Sequence, residues 1–389
     1  MGTASMIHHA RSTVSELPVI PASLLPADGR FGAGPSRVRP EQVSALVDAG
    51  HNLLGTSHRQ APVRNLVGEI REGLSEFFGL PEGYEIILGL GGASTFWDSA
   101  AFSLVRRRAQ HLSFGEFGSK FAQVTDRAPH LEPSDILRAD PGSRPAGPAP
   151  RADIDVFAWP QNETSTGVIM DVTRPQGTDP DALTIIDATS AAGGMHVDIS
   201  ESDVYYFSPQ KNFGSDGGVW FAAVSPAALD RISELSRSDR WIPDVLSLAT
   251  AVENSRKNQT YNTPALAGLV MLGEQVRWLN ANGGMAWAAG HTAATSSLVY
   301  DWAERTPTAT PFVADPQHRS PVVCTVDFDD SVDTARLLSV LRANGVVDVD
   351  PYRKLGRNQL RIATFASVPQ SDVQALLACI DWALANALS

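Results

Sequence analysis

Two side chains that could form the centre of an active site follow separate strand-like runs of the sequence. Lys211 comes directly after Val204-Tyr-Tyr-Phe-Ser-Pro-Gln, in which a strand pattern ends in a Pro-Gln turn. Asp187 ends an earlier apolar run, Leu183-Thr-Ile-Ile-Asp. A lysine amine can bond covalently to an aldehyde, and a carboxylate can keep a pyridine nitrogen protonated. This pair predicts an enzyme that uses pyridoxal 5'-phosphate, with Lys211 and Asp187 as its catalytic residues.

Glycine-rich or polar segments follow two further apolar runs. Gly89-Leu-Gly-Gly-Ala-Ser-Thr joins a strand pattern to a helix pattern, a place where backbone amides can hold a phosphate. Trp159-Pro-Gln-Asn-Glu-Thr-Ser-Thr-Gly places polar side chains at the strand end where doubly wound sheets bind ligands. Each segment also has a plain structural interpretation, the first as a tight strand-to-helix turn and the second as an Asn-Thr-Ser turn.

The two central residues also have structural alternatives. Asp187 could cap a helix, and Lys211 could be a solvated loop lysine. The neighbours Tyr206, Phe207 and Phe213 favour a partly desolvated lysine, because desolvation lowers the pKa of the amine and makes it nucleophilic. The placement of all four segments at strand ends of one sheet favours the functional interpretation.

Short apolar runs alternate with helical patterns over most of the chain. Strands are predicted near residues 84–88, 110–114, 155–159, 183–187, 204–207 and 218–223. Because helix-length segments separate them, they predict an α/β fold with a mostly parallel, helix-covered sheet. We divide the 389 residues into a mobile segment (1–30), a large domain (31–275) and a small C-terminal α+β domain (276–389).

Composition limits the classes of function. The net charge is −12 and no basic face is visible, which argues against nucleic-acid binding. The two cysteines, Cys324 and Cys379, are predicted to be buried free thiols of a reducing compartment. No apolar stretch is long enough for a membrane helix, and prolines interrupt the first apolar run. We therefore expect a cytoplasmic protein without membrane contact, and we predict no metal site.

Several motifs together resemble those of the phosphoserine aminotransferase family, a class-V branch of the fold-type I pyridoxal-phosphate enzymes. The most specific are Gly55-Thr-Ser-His-Arg, Asn162-Glu-Thr, Ser208-Pro-Gln-Lys-Asn, Tyr261-Asn-Thr-Pro and Trp278-Leu-Asn-Ala-Asn-Gly-Gly. The resemblance extends from Phe31 to the C-terminal helix, and a long insert and the segment from Arg353 to Arg361 resemble the actinobacterial branch. It implies the fold-type I architecture, with a large cofactor-binding domain and a small C-terminal domain.

The resemblance also implies a role for each residue that matches a family motif. Lys211 would bond to the cofactor and carry protons during transamination, while Asp187 would pair with the ring nitrogen. Thr164 would hydrogen-bond the ring hydroxyl, and Phe117 would stack on the ring where many relatives have a tryptophan. The residues that would contact the cofactor phosphate are Ala93, Ser94 and Gln210 of one subunit and Asn262 and Thr263 of the other.

Substrate binding in the family implies a homodimer with shared active sites. Arg361 would bind the α-carboxylate of the substrate, and His58 and Arg59 from the other subunit would bind its distal phosphate or carboxylate. Ser94 stands where many relatives have an arginine, which leaves the cofactor phosphate dependent on amides and hydroxyls. Lys354 and its neighbour Arg353 are either extra phosphate contacts or solvated side chains.

The function that follows from the resemblance is transamination of 3-phosphohydroxypyruvate with L-glutamate to O-phospho-L-serine and 2-oxoglutarate, a step of serine biosynthesis. The family also suggests the 4-phosphohydroxythreonine step of pyridoxine biosynthesis. Alternatives are alanine–glyoxylate transamination, cysteine desulfuration and a non-catalytic cofactor- or nucleotide-binding module. A desulfurase needs a mobile, exposed nucleophilic cysteine, and Cys324 within an apolar strand is a poor candidate.

Overall fold

The computed structural model describes residues 17–387, and they form ten α-helices and twelve strands. The helices are α1 (Pro40–Asn52), α2 (Ala61–Phe78), α3 (Gly92–Ser103), α4 (Glu116–Arg127), α5 (Pro226–Ser236), α6 (Leu248–Ser255), α7 (Leu266–Ala281), α8 (Gly284–Arg305), α9 (Thr334–Ala343) and α10 (Gln370–Asn386). The strands are β1 (Glu85–Leu90), β2 (Ala109–Ser113), β3 (Asp135–Arg138), β4 (Val156–Pro160), β5 (Asn162–Glu163), β6 (Val168–Ile169), β7 (Leu183–Asp187), β8 (Val204–Phe207), β9 (Val219–Val224), β10 (Ala309–Pro311), β11 (Val323–Phe328) and β12 (Gln359–Ala363).

Seven strands form the central sheet, in the order β1-β9-β8-β7-β4-β2-β3. The neighbours from β8 through β7, β4 and β2 to β3 pair in parallel, whereas β9 runs antiparallel to both β1 and β8. The predicted α/β fold with a mostly parallel sheet is therefore confirmed. The reversed direction of β9 was not predicted.

Helices cover both faces of this sheet. Successive side chains of a strand point to opposite sides, so each strand contributes to two apolar clusters. Val156, Ala158, Ile185 and Tyr206 belong to a cluster that includes side chains of α3, α5 and α6. Phe157, Trp159, Ile186 and Tyr205 belong to a second cluster, with side chains of α2 and α7. Strands buried on both faces read as continuous apolar runs, as these do in the sequence.

The C-terminal part combines the antiparallel sheet β10-β11-β12 with α8, α9 and α10. Its helices and strands agree with the predicted α+β organisation. The predicted boundary at residue 275 falls inside α7, and the division into domains stays a prediction.

The predicted mobile segment 1–30 is described only from residue 17 onwards, since residues 1–16 lie outside the described residues. Ile20 is buried and donates its backbone N–H to Asn344 at 2.9 Å. The backbone N–H of Ala27 donates to Asp372 at 3.1 Å. Residues 20–27 are thus held against α9 and α10.

Three further features concern a surface loop, membrane-spanning helices and metal-binding groups. Residues 139–152 form no helix or strand and leave none of their side chains buried, as their prolines and glycines predict. Between residues 17 and 387, no helix is long and apolar enough to cross a membrane. The same residues contain no group of three or more His, Cys, Asp or Glu side chains arranged to hold a metal ion.

Candidate active site

A cavity of about 350 Å³ lies at the carboxyl ends of β4, β7 and β8, beside the start of α3. The carboxyl ends of parallel strands meet at one edge of a sheet, so loops that follow these strands converge there. The predicted residues that line the cavity are Ala93, Ser94, Phe117, Thr164, Asp187, Gln210 and Lys211. The structure therefore brings together seven side chains that are distant in sequence.

Lys211 is buried in this cavity, with only 8 % of its surface exposed. Its Nζ donates a hydrogen bond to the carbonyl oxygen of Ala33 and lies 5.8 Å from the ring centroid of Phe117. Burial and then the charge of Arg361 lower the pKa of Lys211 to about 7, against the opposing effect of two nearby carboxylates. Much of this amine is uncharged at neutral pH, and an uncharged amine is a nucleophile.

The backbone approaches this lysine closely at Gly34. This residue has a φ of 129°, a conformation that side chains other than glycine rarely adopt. A Cβ atom at position 34 would overlap the end of the Lys211 side chain, 2.6 Å from its Cε. Glycine is required here to leave space for the lysine.

Asp187 ends β7 and accepts three hydrogen bonds. Its Oδ2 accepts from the hydroxyl of Tyr206 at 2.8 Å and from Nε1 of Trp97 at 3.3 Å. Its Oδ1 accepts from the backbone N–H of Thr189 at 2.9 Å. These three donors hold the carboxylate in one orientation, as pairing with a protonated ring nitrogen requires.

The start of α3 provides a site for an anion. Gly91 precedes the helix, and no side chain caps it, so the first backbone amides of α3 remain available. Ala93 and Ser94 belong to this first turn, and both line the cavity. The amide oxygen of Gln210 is buried at the same cavity without a hydrogen-bond partner among residues 17–387. The free amides of α3 fit a phosphate at the positive end of the helix dipole, to which the side-chain NH2 of Gln210, rather than its oxygen, could donate.

Arg361, on β12, is a half-buried cation next to this cavity. Its Nη1 donates to the backbone carbonyl of Thr164 at 3.2 Å, and its Nε has no hydrogen-bond partner in the described part of the chain. No acidic side chain there lies within 4.0 Å of the guanidinium. The guanidinium lies 5.4 Å from the ring centroid of Tyr352, which in turn contacts Phe117 edge-on. A half-buried guanidinium without a carboxylate partner can bind an anionic ligand.

The remaining four predicted residues form a separate surface group. Nδ1 of His58 lies 3.1 Å from the hydroxyl of Thr263, next to Asn262 in sequence. Arg59 donates to Gln259 at 2.9 Å. None of these residues lines the cavity of its own chain. Their predicted contacts require a second subunit, as the resemblance implies.

Several residues of the site were not predicted from the sequence. Trp97 and Tyr206 hold Asp187, and Thr189 has a buried hydroxyl without a partner among the described residues. Tyr206 could have been noticed in the sequence, because it lies near the end of the strand run 204–207. The parallel register of β7 and β8 pairs it directly with Asp187. Glu163 lies behind the cavity, fully buried, and the motif that contains it indicated no role for the carboxylate.

Comparison with known proteins adds to this geometry. Residues 150–348 match the model of the family Aminotransferase class-V. The putative phosphoserine aminotransferase of Mycolicibacterium vanbaalenii is 60 % identical over 365 residues, which cover 93 % of this chain and 97 % of that protein. The phosphoserine aminotransferase of Rhodococcus jostii is 54 % identical, covering 96 % of this chain and 100 % of that protein.

A solved structure shares the fold. The phosphoserine aminotransferase of Cytophaga hutchinsonii superposes with a TM-score of 0.85 at 21 % identity, covering 91 % of this chain and 99 % of that chain. The chain therefore belongs to the class-V aminotransferases, and within them to the phosphoserine aminotransferase family. The family predicted from the sequence motifs is confirmed, and the chain is an aminotransferase.

Proposed function

We propose that this chain transfers the amino group of L-glutamate to 3-phosphohydroxypyruvate, forming O-phospho-L-serine and 2-oxoglutarate. The observation that carries the proposal is the placement, beside one cavity, of a buried Lys211 whose pKa is lowered to about 7 and an Arg361 guanidinium that has no carboxylate partner among residues 17–387. An amine and a carboxylate-binding arginine are what transamination of an α-amino acid requires. The names of the relatives at 54 % to 60 % identity support the choice of substrates.

Pyridoxal 5'-phosphate fits the residues of the cavity. Lys211 would bond to its aldehyde, Asp187 would face its ring nitrogen, and Thr164 would reach its hydroxyl. The phosphate would lie at the amides of Ala93 and Ser94 and at Gln210, and the ring of Phe117 would stack on the cofactor. When bound, the cofactor supplies an electron sink for the substrate carbon.

The chain's own groups account for the remaining steps. The amine of Lys211 would be placed to accept a proton and to return it, and a pKa near 7 suits both uptake and release. Arg361 would bind the α-carboxylate with two parallel hydrogen bonds and so orient the α-carbon toward that amine. Tyr352, against both Arg361 and Phe117, would exclude water from this side of the cavity.

We further propose a homodimer in which His58 and Arg59 bind the distal anion in the partner's site, and Asn262 and Thr263 contact its cofactor phosphate. An exposed apolar surface beside these residues supports this arrangement. Trp241 is 77 % exposed and Val245 53 %, while Tyr261, next to Asn262, is bonded to the same segment through Asp244. Exposed large aromatic side chains of this kind are typical of contact surfaces.

Cysteine desulfuration is not supported by the thiols. Cys324 and Cys379 are both buried, and burial raises their pKa to about 12 and about 11. Thiols in this state are poor nucleophiles. Acceptance of the 4-phosphorylated substrate of pyridoxine biosynthesis, a cytoplasmic location and the absence of nucleic-acid or membrane partners stay predictions.

The test is a set of half-reactions. Enzyme converted to its amine form with glutamate is mixed in turn with 3-phosphohydroxypyruvate, pyruvate and glyoxylate, and recovery of the visible absorbance of the aldehyde form is followed. We expect 3-phosphohydroxypyruvate to restore the absorbance by far the fastest, because only it carries a distal phosphate. Faster recovery with pyruvate or glyoxylate would contradict the proposed substrate.

A further inference from the structure

A carboxylate with no assigned role lies directly behind the cavity. Glu163, the last residue of β5, is fully buried. Its Oε2 accepts hydrogen bonds from the backbone N–H groups of Phe117 and Gly118, each at 3.0 Å. Its Oε1 accepts from the backbone N–H and the hydroxyl of Ser165, at 3.1 and 2.7 Å. All four partners are donors, so both carboxylate oxygens are fully used.

These contacts fix the first turn of α4. The residue before the helix, Gly115, has no side chain that could cap it, and the backbone N–H of Glu116 donates to the hydroxyl of Ser165 at 3.0 Å. The exposed amides at the start of α4 are thus satisfied by residues 163–165, almost fifty positions away in sequence. A negative charge at this end also has a favourable interaction with the helix dipole.

The backbone at Gly115 is in close contact with the side chain of Glu163. A Cβ atom at position 115 would overlap the Glu163 side chain and lie 2.6 Å from the hydroxyl of Ser165. The helix start and the 163–165 turn are therefore in direct contact. A shift of the Glu163 side chain would move α4 with it.

The same turn is linked to two residues that line the cavity, Phe117 and Thr164, and through Thr164 to Arg361 beside it. Phe117 lies in the first turn of α4, with its ring 5.8 Å from Nζ of Lys211. Thr164 follows Glu163 directly and lines the cavity. The carbonyl of Thr164 accepts the hydrogen bond from Arg361. A displacement of the Glu163 carboxylate would therefore move the backbone of Phe117, and with it the phenyl ring.

We propose that Glu163 is a positioning residue that fixes the ring of Phe117 over the cofactor and so determines how tightly the cofactor ring is held. Glu163 itself touches neither substrate nor cofactor. The inference rests on the proposed function, in that it takes the ligand of the cavity to be a pyridoxal-type cofactor. A purely structural role would affect folding stability without affecting the binding of that ring.

The experiment is a double-mutant cycle between Glu163→Gln and Phe117→Leu. The probe is pyridoxamine 5'-phosphate, which has no aldehyde and cannot bond to Lys211, so its dissociation constant measures ring and phosphate contacts alone. Quenching of tryptophan fluorescence follows binding, since Trp97 lines the cavity. The near-ultraviolet circular dichroism of the bound probe reports the orientation of its ring.

In the wild-type background we expect Glu163→Gln to raise the dissociation constant about tenfold and to change the dichroism, because an amide presents donors to donors. In the Phe117→Leu background the same change should have an effect of less than about twofold. The matched control is Asp333→Asn, at another helix start, where Asp333 accepts the N–H of Arg336. It should lower stability without changing probe binding.

Equal effects in both backgrounds, or unchanged probe binding in a folded Glu163→Gln protein, would overturn the inference. If Glu163→Gln does not fold, Ser165→Ala replaces it in the same cycle, with an expected rise of about threefold that again depends on Phe117. A rise that is independent of Phe117 would reject the proposal. Failure of the wild-type protein to bind the probe at all would instead contradict the proposed function.

Discussion

Asp187 and Tyr206 are direct neighbours in the parallel register of β7 and β8, and the Tyr206 hydroxyl donates to the Asp187 carboxylate at 2.8 Å. Burial and the adjacent carboxylate raise the pKa of Tyr206 well above its ordinary value, so it remains a donor at all working pH values. The carboxylate of Asp187 is therefore stabilised by a side chain of the neighbouring strand in the sheet. The consequence is testable.

Tyr206→Phe should destabilise the cofactor-free protein more than the cofactor-bound protein. Without the hydroxyl, a buried carboxylate loses a charge-assisted bond, at a cost of about 1.5–3 kcal/mol of unfolding free energy. A bound ring nitrogen would compensate part of that loss. Tyr205→Phe is the matched control, because the Tyr205 hydroxyl donates to Gln161 instead. Urea unfolding of both forms measures the difference, and equal losses for Tyr206→Phe in the two forms would contradict the prediction.

The lowered pKa of Lys211 predicts a pH dependence for cofactor attachment. The amine is charged below about pH 7 and uncharged above it, so the rate of covalent attachment to cofactor-free protein should rise through pH 7 and then level off. An ordinary lysine would keep gaining reactivity up to its pKa of 10.5. Between these values the unfolded chain binds the proton and the folded chain does not, so stability should also increase with pH.

Stopped-flow absorbance between pH 5.5 and 9.5, a range of about four units around that pKa, measures the attachment rate. Arg361→Met should move the midpoint upward, because the charge of Arg361 contributes to lowering the pKa of Lys211. A midpoint that stays above pH 9 in the wild-type protein would exclude the proposed environment of the lysine.

Arg361→Met should weaken substrate binding and yet stabilise the substrate-free protein. Loss of a two-bond contact with a carboxylate should raise KM for glutamate about 100-fold. Removal of a half-buried cation that has no acidic partner among residues 17–387 should increase the unfolding free energy by about 1 kcal/mol. Arg357→Met is the control, since Arg357 is paired with Asp327 at the surface. A lower stability of Arg361→Met, or an unchanged KM, would show that the guanidinium has another partner.

Gly34→Ala should block the position of Lys211 while leaving the fold intact. The added methyl group overlaps the end of the lysine side chain, so covalent attachment of the cofactor should slow by more than about 100-fold. Gly345→Ala separates this overlap from backbone strain, because Gly345 also has a positive φ, 84°, but open space around it. Similar attachment rates for the two variants would mean that overlap at position 34 is relieved by movement.

Mixed dimers test the shared site. Arg59→Ala should raise KM for both substrates, because both distal anions would meet the same guanidinium. Lys211→Ala should be inactive by itself. Subunits of the two variants, refolded together in equal amounts, should regain about a quarter of wild-type activity, since half of the dimers then contain one complete site of two. The activity is measured at substrate concentrations far below the KM of Arg59→Ala. Activity no greater than that of the Arg59→Ala subunits alone would place Arg59 in the site of its own chain.

Much of the site followed from local pattern. The run before Asp187 and the run before Lys211 were each continuous apolar strands, and their predicted bounds, 183–187 and 204–207, are those observed. Parallel strands carry the residues that follow them to a common edge. For that reason the order of motifs was sufficient to predict that Thr164, Asp187 and Lys211 converge.

What the sequence did not predict depends on partners far apart in the chain. The bond from Arg361 to Thr164 joins positions 197 residues apart, and the contacts of Glu163 depend on where α4 begins. The direction of β9 also had no local signal, because a strand buried on both faces looks the same in either orientation. Val43 and Val47, four positions apart on one side of α1, are exposed, which their helical spacing alone does not predict.

The two deeply placed thiols have a practical consequence for labelling. Cys324 and Cys379 are the only cysteines of the chain, and neither presents its sulfur at the surface. Ala146, by contrast, is exposed in the proline-rich loop and lies outside every helix and strand. Ala146→Cys would therefore give each chain a single thiol that reacts with maleimide dyes. Fluorescence energy transfer between labelled chains could then report assembly without replacement of the native cysteines.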